Sequence, residues 1–250
     1  GPGVWEAAIR YDDVLEAADK AALFKTTVKH ICARHDLSAT FMAKWSPDLP
    51  GSSGHIHQSL WDAHAKTNLF ATAATDRLSE TGLHYLGGLV TLAPELTAIY
   101  SPFVNSYKRY VPGLWAPLNA SWGVENRTCG SRVILGPGQS AARIELRQTG
   151  ADINPYVAMA ACLGSGLHGI ENEIAPPPES TGDATAASDP SLALPLTLES
   201  AVDALRNSEA ARSVLGEAFV DHYVRTRDWE CREYNRSVSE WELRRYFEAV

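Results

Sequence analysis

The chain has 250 residues, 45% of them hydrophobic and 21% charged, with a formal net charge of −8. This is an ordinary composition for a soluble globular protein, long enough for one large or two small domains, and its acidic balance excludes general nucleic-acid binding while leaving room for a local anion pocket. The absence of any long apolar run or signal-peptide pattern argues against a membrane partner and makes the cytoplasm the default, and four scattered cysteines (Cys32, Cys129, Cys162 and Cys231) suggest neither a disulfide framework nor a thiolate metal cluster.

In chain order, Gly3 to Tyr11 alternates, with Glu6, Ala8 and Arg10 on one face, and predicts a strand. From Asp13 to about His35 the pattern is helical, with Asp12 or Asp13 as N-cap. Thr40 to Lys44 and His55 to Trp61 are strand candidates. Within the second, His55, His57 and Ser59 share one face and Ile56, Gln58 and Leu60 the other. Ser79 to Thr91 is helical, and Lys108 to Trp122, rich in proline and aromatic residues, predicts an ordered loop. Thr128 to Leu135 and Ala141 to Gln148 are strands joined by Gly136-Pro137-Gly138. Asn154-Pro155 starts a helix, with Asn as cap and Pro in the first turn, and Ala160, Ala161, Gly164 and Gly166 allow close packing along it. Residues 176–195 read as an internal loop, and Thr197 to Val250 as helical.

Two segments carry chemistry. Arg143-Ile144-Glu145-Leu146-Arg147 places three charged side chains on one face of a strand and two apolar ones on the other. Such a face suits a floor on which the carboxylate holds a hard cation and the arginines hold phosphates or carboxylates. On the pentapeptide alone, a solvated ladder of ion pairs is the simpler reading. The second segment, residues 51–61, puts two imidazoles two residues apart after a small-residue turn, which suits a metal or phosphate site, and the absence of neighbouring cysteines argues against structural zinc.

Taken together, residues 51–61, Asn105-Ser106-Tyr107-Lys108-Arg109-Tyr110-Val111-Pro112-Gly113, Asn126-Arg127-Thr128, residues 142–147 and Asn154-Pro155-Tyr156 occur in one order over most of the chain. In that order they resemble the catalytic domain of the glutamine synthetase family. The resemblance implies an α+β fold, a curved antiparallel sheet surrounded by helices, over residues 1–250. It also implies the family's two-step reaction, in which ATP phosphorylates the γ-carboxylate of glutamate and an amine then displaces phosphate. By resemblance, Glu6, His55 and Glu145 match metal ligands for Mg²⁺ or Mn²⁺. Gly51, Arg109 and Arg147 match the glutamate pocket. His57, Ser59, Arg127 and Arg143 match the ATP side, and Arg127 and Arg132 match arginines that act on the transferring phosphoryl group.

The chain departs from the family at three places. Trp115 stands where true glutamine synthetases carry a glutamate that helps deprotonate ammonium. An indole can instead cover a larger amine and hold its cationic form. The expectation is therefore a γ-glutamyl-amine ligase using glutamate, ATP and a small organic amine. The alternatives are a true glutamine synthetase and a non-catalytic protein of the same fold. Pro50 replaces the family's asparagine before Gly51. The smaller N-terminal domain of the family is not in this sequence, so the chain reads as the C-terminal part of a longer protein, inactive alone, whose full form is a ring-shaped homo-oligomer.

Overall fold

The structure, a computed structural model, describes residues 3–113, 116–186 and 189–250. Among these, α1 (Val14–Ala33) precedes β1 (Ile56–Gln58), α2 (Glu80–Leu92) and the single turn α3 (Thr97–Tyr100). Then come β2 (Trp122–Val124), β3 (Ser131–Ile134), β4 (Arg143–Leu146) and α4 (Pro155–Glu171). Four helices end the chain: α5 (Leu198–Asn207), α6 (Glu209–Leu215), α7 (Glu217–Arg236) and α8 (Glu240–Tyr246).

The described strands form one sheet in the order β1-β4-β3-β2. β4 is antiparallel to both β1 and β3, but β2 runs parallel to β3, so the sheet is mixed where an antiparallel one is expected. Parallel neighbours ordinarily need a long crossover. Here β2 has only three residues, so the link from Glu125 to Gly130 suffices to bring the chain back to the start of β3.

Alternation then divides the sheet as the sequence predicts. Ile56, Val133, Ile144 and Leu146 are buried on one face and join the main core with Leu86, Leu89, Ala158 and Ala161. α2 and α4 lie against each other at very short range. A Cβ on Gly88 would sit 2.0 Å from the Ser165 carbonyl oxygen, and one on Gly169 2.2 Å from that of His84, so only glycine allows this approach. Asn154 caps α4 by accepting from the Tyr156 and Val157 N–H groups, with Pro155 in the first turn as its sequence signals.

Two expected strands are not formed. Residues 4–13 pair with no strand among the described residues, and Trp5 and Tyr11 are 94% and 89% exposed. An alternating pattern becomes a strand only when a neighbour completes its hydrogen bonds. The Thr40–Lys44 segment is held by a side chain instead. The Asn105 amide accepts from the Lys44 N–H at 2.9 Å and donates to the Lys44 carbonyl at 2.8 Å, filling the place of a strand partner. Residues 176–186 and 189–195 follow an irregular path with two short 3₁₀ turns, and no helix among the described residues is long and apolar enough to cross a membrane.

Candidate active site

The register of the sheet sets its charged face. His57 and Arg132 are both opposite Glu145 on the adjacent strands, so the three form one row across β1, β4 and β3. Arg143 and Arg147, two residues either side of Glu145, extend the same face. Glu145 is the centre of it. Its side chain is only 4% exposed, yet it is met on three sides. Arg147 Nη1 lies 2.7 Å from Oε1, His55 Nδ1 3.0 Å from Oε1, and Arg132 Nη1 3.1 Å from Oε2.

Burial pushes the Glu145 carboxyl up. The His55 hydrogen bond and the nearby charges of Arg147, His55 and His57 outweigh it and bring the group down to about 2. It is therefore ionised at any physiological pH. His57 moves down, because partial burial disfavours its cation and Arg143 and Arg132 add to that, while Glu145 opposes. A neutral His57 agrees with its Nδ1 accepting from Arg143 Nε at 3.3 Å, which leaves Nε2 as the protonated nitrogen, 4.0 Å from Glu145 Oε1.

A second cluster lies beside the end of β4. The turn at residues 51–54 runs antiparallel to residues 149–151, through a bridge between Ser53 and Gly150 and reciprocal bonds between Gly54 and Thr149. Arg109 reaches into this junction and is buried. It donates from Nη1 to Ser53 Oγ at 3.2 Å and from Nη2 to the Gln148 carbonyl. Gly51 makes room for its stem, since a Cβ there would lie 2.7 Å from Arg109 Cγ and 2.6 Å from the Ala43 carbonyl oxygen. Arg109 has no carboxylate within ion-pair distance among the described residues. A buried guanidinium of this kind, its Nε without a partner among the described residues, can take an incoming carboxylate.

The expected site residues are thus only partly brought together. His55, His57, Arg132, Arg143, Glu145 and Arg147 share the sheet face. Arg127 is exposed next to it, its carbonyl accepting from Arg147 Nε at 3.1 Å. Ser59 lies beyond β1 and accepts from Trp61 Nε1. Glu6 is exposed in the segment before α1, and among the described residues it has no hydrogen bond or ion pair. Trp115 lies outside the described residues.

No three His, Cys, Asp or Glu side chains among the described residues converge into a metal cage. The pair His55–Glu145 does place an imidazole nitrogen and an ionised carboxylate oxygen side by side. That fits a hard cation which takes the rest of its shell from water and phosphate oxygens. Sequence reasoning missed Glu125, which pairs with Arg132, and Ser53, which meets Arg109. Both are single polar residues in turns, with no pattern to mark them.

Residues 1–246 match the family model described as glutamine synthetase, catalytic domain. The chain belongs to the glutamine synthetase family. Similar proteins include a glutamate–isopropylamine ligase of Pseudomonas sp., 48% identical over 253 residues, covering 100% of this chain and 54% of that protein. A gamma-glutamylethanolamide synthetase of Streptomyces coelicolor is 40% identical, covering 100% of this chain and 52% of that protein. Among solved structures, ligand-free GmaS superposes with a TM-score of 0.86 at 37% identity, over 96% of this chain and 55% of that one. The chain therefore spans about half the length of the relatives it matches, and the Glu145 face and the Arg109 junction both lie within the glutamine synthetase catalytic domain.

Proposed function

We propose that the protein carrying this chain is an ATP-dependent ligase that joins the γ-carboxylate of glutamate to an organic amine. The observation that carries this reading is the buried, ionised Glu145 held between Arg132, Arg147 and His55, with a second buried arginine, Arg109, at the adjoining turn. Phosphoryl transfer asks for fixed positive charge around the phosphate oxygens, and acyl transfer asks for a carboxylate held in register with it.

In the first step a γ-carboxylate oxygen of glutamate attacks the γ-phosphorus of ATP and the bond to ADP breaks. Arg109 and Arg147 hold carboxylate groups of glutamate, while Arg132, Arg127 and Arg143 surround the phosphates and spread the charge of the transferring group. In the second step the amine nitrogen attacks the acyl carbon of γ-glutamyl phosphate, phosphate leaves, and the nitrogen loses a proton. When bound at His55 and Glu145, Mg²⁺ or Mn²⁺ would supply positive charge to the ATP phosphates. An organic amine is favoured over ammonia by Trp115, at the position of the family's ammonium-binding glutamate, and by the similarity of the chain to a glutamate–isopropylamine ligase and a gamma-glutamylethanolamide synthetase. The family's ring assembly and a cytoplasmic location belong to the same proposal.

The test is phosphate release from ATP and Mg²⁺ by the full-length protein, with glutamate and a panel of ammonia, methylamine, isopropylamine, ethanolamine and polyamines. Release that requires glutamate and one organic amine supports the reading. Strong release with ammonia makes the protein a glutamine synthetase. Binding of ATP without release with any amine makes it non-catalytic.

A further inference from the structure

Arg132 stands between two carboxylates. One edge of its guanidinium, Nε and Nη2, donates to Glu125 Oε2, with the Nε contact at 3.0 Å. The remaining terminal nitrogen, Nη1, donates to Glu145 Oε2 at 3.1 Å. We propose that Glu125 is a positioning residue that limits Arg132 to a single bond with Glu145 and keeps its guanidinium aimed at the phosphoryl group.

The backbone supports this. Glu125 has φ +51, a left-handed conformation that is strained for a non-glycine residue. Its N–H donates to the Val133 carbonyl at 2.9 Å, which fixes the kink onto β3 beside Arg132. Glycine would take this conformation without strain, yet the chain carries a glutamate there. Four other non-glycine residues share a positive φ (Asp36, Ala65, Thr75 and Glu173), and none of them bonds to a side chain of the sheet face.

The pair does little for stability. The Glu125 side chain is 48% exposed, and ion pairs at such solvent-screened sites contribute little. What it changes is direction. An arginine facing a lone carboxylate closes on it with both prongs of its fork. Without Glu125, Arg132 would turn its fork onto Glu145, whose Oε1 already takes Arg147 and His55. With Glu125 in place, Glu145 takes one nitrogen of Arg132, and the outer edge of the guanidinium is held by Glu125. Glu125 itself lines a shallow groove of about 400 Å³ formed by residues 124–127 and 179–182.

The inference rests on the reading of Arg132 as an arginine that acts on phosphate, so the test separates the two. In the full-length protein, Glu125→Gly, Glu125→Gln and Arg132→Ala are compared by steady-state kinetics and thermal melting. Glu125→Gly relieves the backbone and is expected to melt no lower than the wild type while kcat falls about tenfold or more, with KM for glutamate within twofold. Glu125→Gln keeps one acceptor and is expected to fall between. A role confined to folding would instead lower the melting temperature and leave kcat unchanged. Full kcat in Glu125→Gly alongside an inactive Arg132→Ala overturns the positioning role and leaves the reading of Arg132 standing. Full activity in Arg132→Ala overturns the reading of Arg132 and the positioning role with it.

Discussion

Replacing Glu145 by glutamine removes one charge and almost no volume. In the wild type the carboxyl sits at about 2 against an ordinary 4.5, and that difference in proton affinity corresponds to roughly 3 kcal/mol of folded-state stabilisation at neutral pH. Solvent takes little of this away, because Glu145 and its partner Arg147 are 4% and 5% exposed. The variant also leaves Arg147, Arg132 and His55 facing a neutral amide. The expected loss is about 3 kcal/mol at pH 7, or a melting temperature lower by roughly 6–12 °C for a domain of this size. The sign follows from the direction of the shift. A depressed carboxyl contributes its full stability above the unfolded value of 4.5 and loses it as pH falls toward the folded value of about 2. The gap between wild type and variant should therefore stay constant from pH 7 to about 5.5 and close by about 2 kcal/mol at pH 3. Urea unfolding of both proteins across this range, with a chelator present so that no cation competes for the carboxylate, measures it. Equal stability at pH 7, or a gap that does not change below pH 4.5, would refute the electrostatic account of this face.

Three further outcomes follow from the packing. Arg109→Lys loses the fork that reaches Ser53 Oγ and the Gln148 carbonyl together, so KM for glutamate should rise about tenfold or more while kcat changes less, as read by phosphate-release kinetics. Gly51→Ala drives a methyl to within 2.6 Å of the Ala43 carbonyl and 2.7 Å of Arg109 Cγ; it should reproduce that KM effect and cost about 1–3 kcal/mol, and unchanged glutamate kinetics would disconnect the turn from the pocket. Gly88→Ala puts a Cβ 2.0 Å from the Ser165 carbonyl and should lower the melting temperature by roughly 5 °C or more, whereas an unchanged melt would mean that α2 and α4 can part freely.

Much of this site was legible before any coordinates, and the reason is the strict two-residue period of a strand. Alternation alone puts Glu145 with Arg143 and Arg147, and His55 with His57, and buries Ile144 and Leu146 behind them. It does not say which strands are neighbours. The row His57–Glu145–Arg132 comes from pairing between segments far apart in sequence; the family resemblance joined His55 to Glu145 but not these three in one row. Local pattern failed where tertiary contacts decide. The alternation of residues 3–11 meets no partner strand among the described residues, and the Thr40–Lys44 backbone is completed by the Asn105 side chain. Glu125 gave no signal, because its importance lies in a positive φ and a contact across β3, neither of which a lone glutamate in a turn announces.

The register of β4 has a consequence for how such a protein can change. One residue at a time, this strand turns Arg143, Glu145 and Arg147 outward and Ile144 and Leu146 inward. Inserting or deleting one residue would exchange the two sets, burying charges in the core and exposing the aliphatic side chains. No change in the length of β4 shifts the reactive face while sparing the interior, or the reverse. Changes of length must therefore fall in the loops around the sheet, such as the turn that carries Glu125, while the strand itself remains under a double constraint.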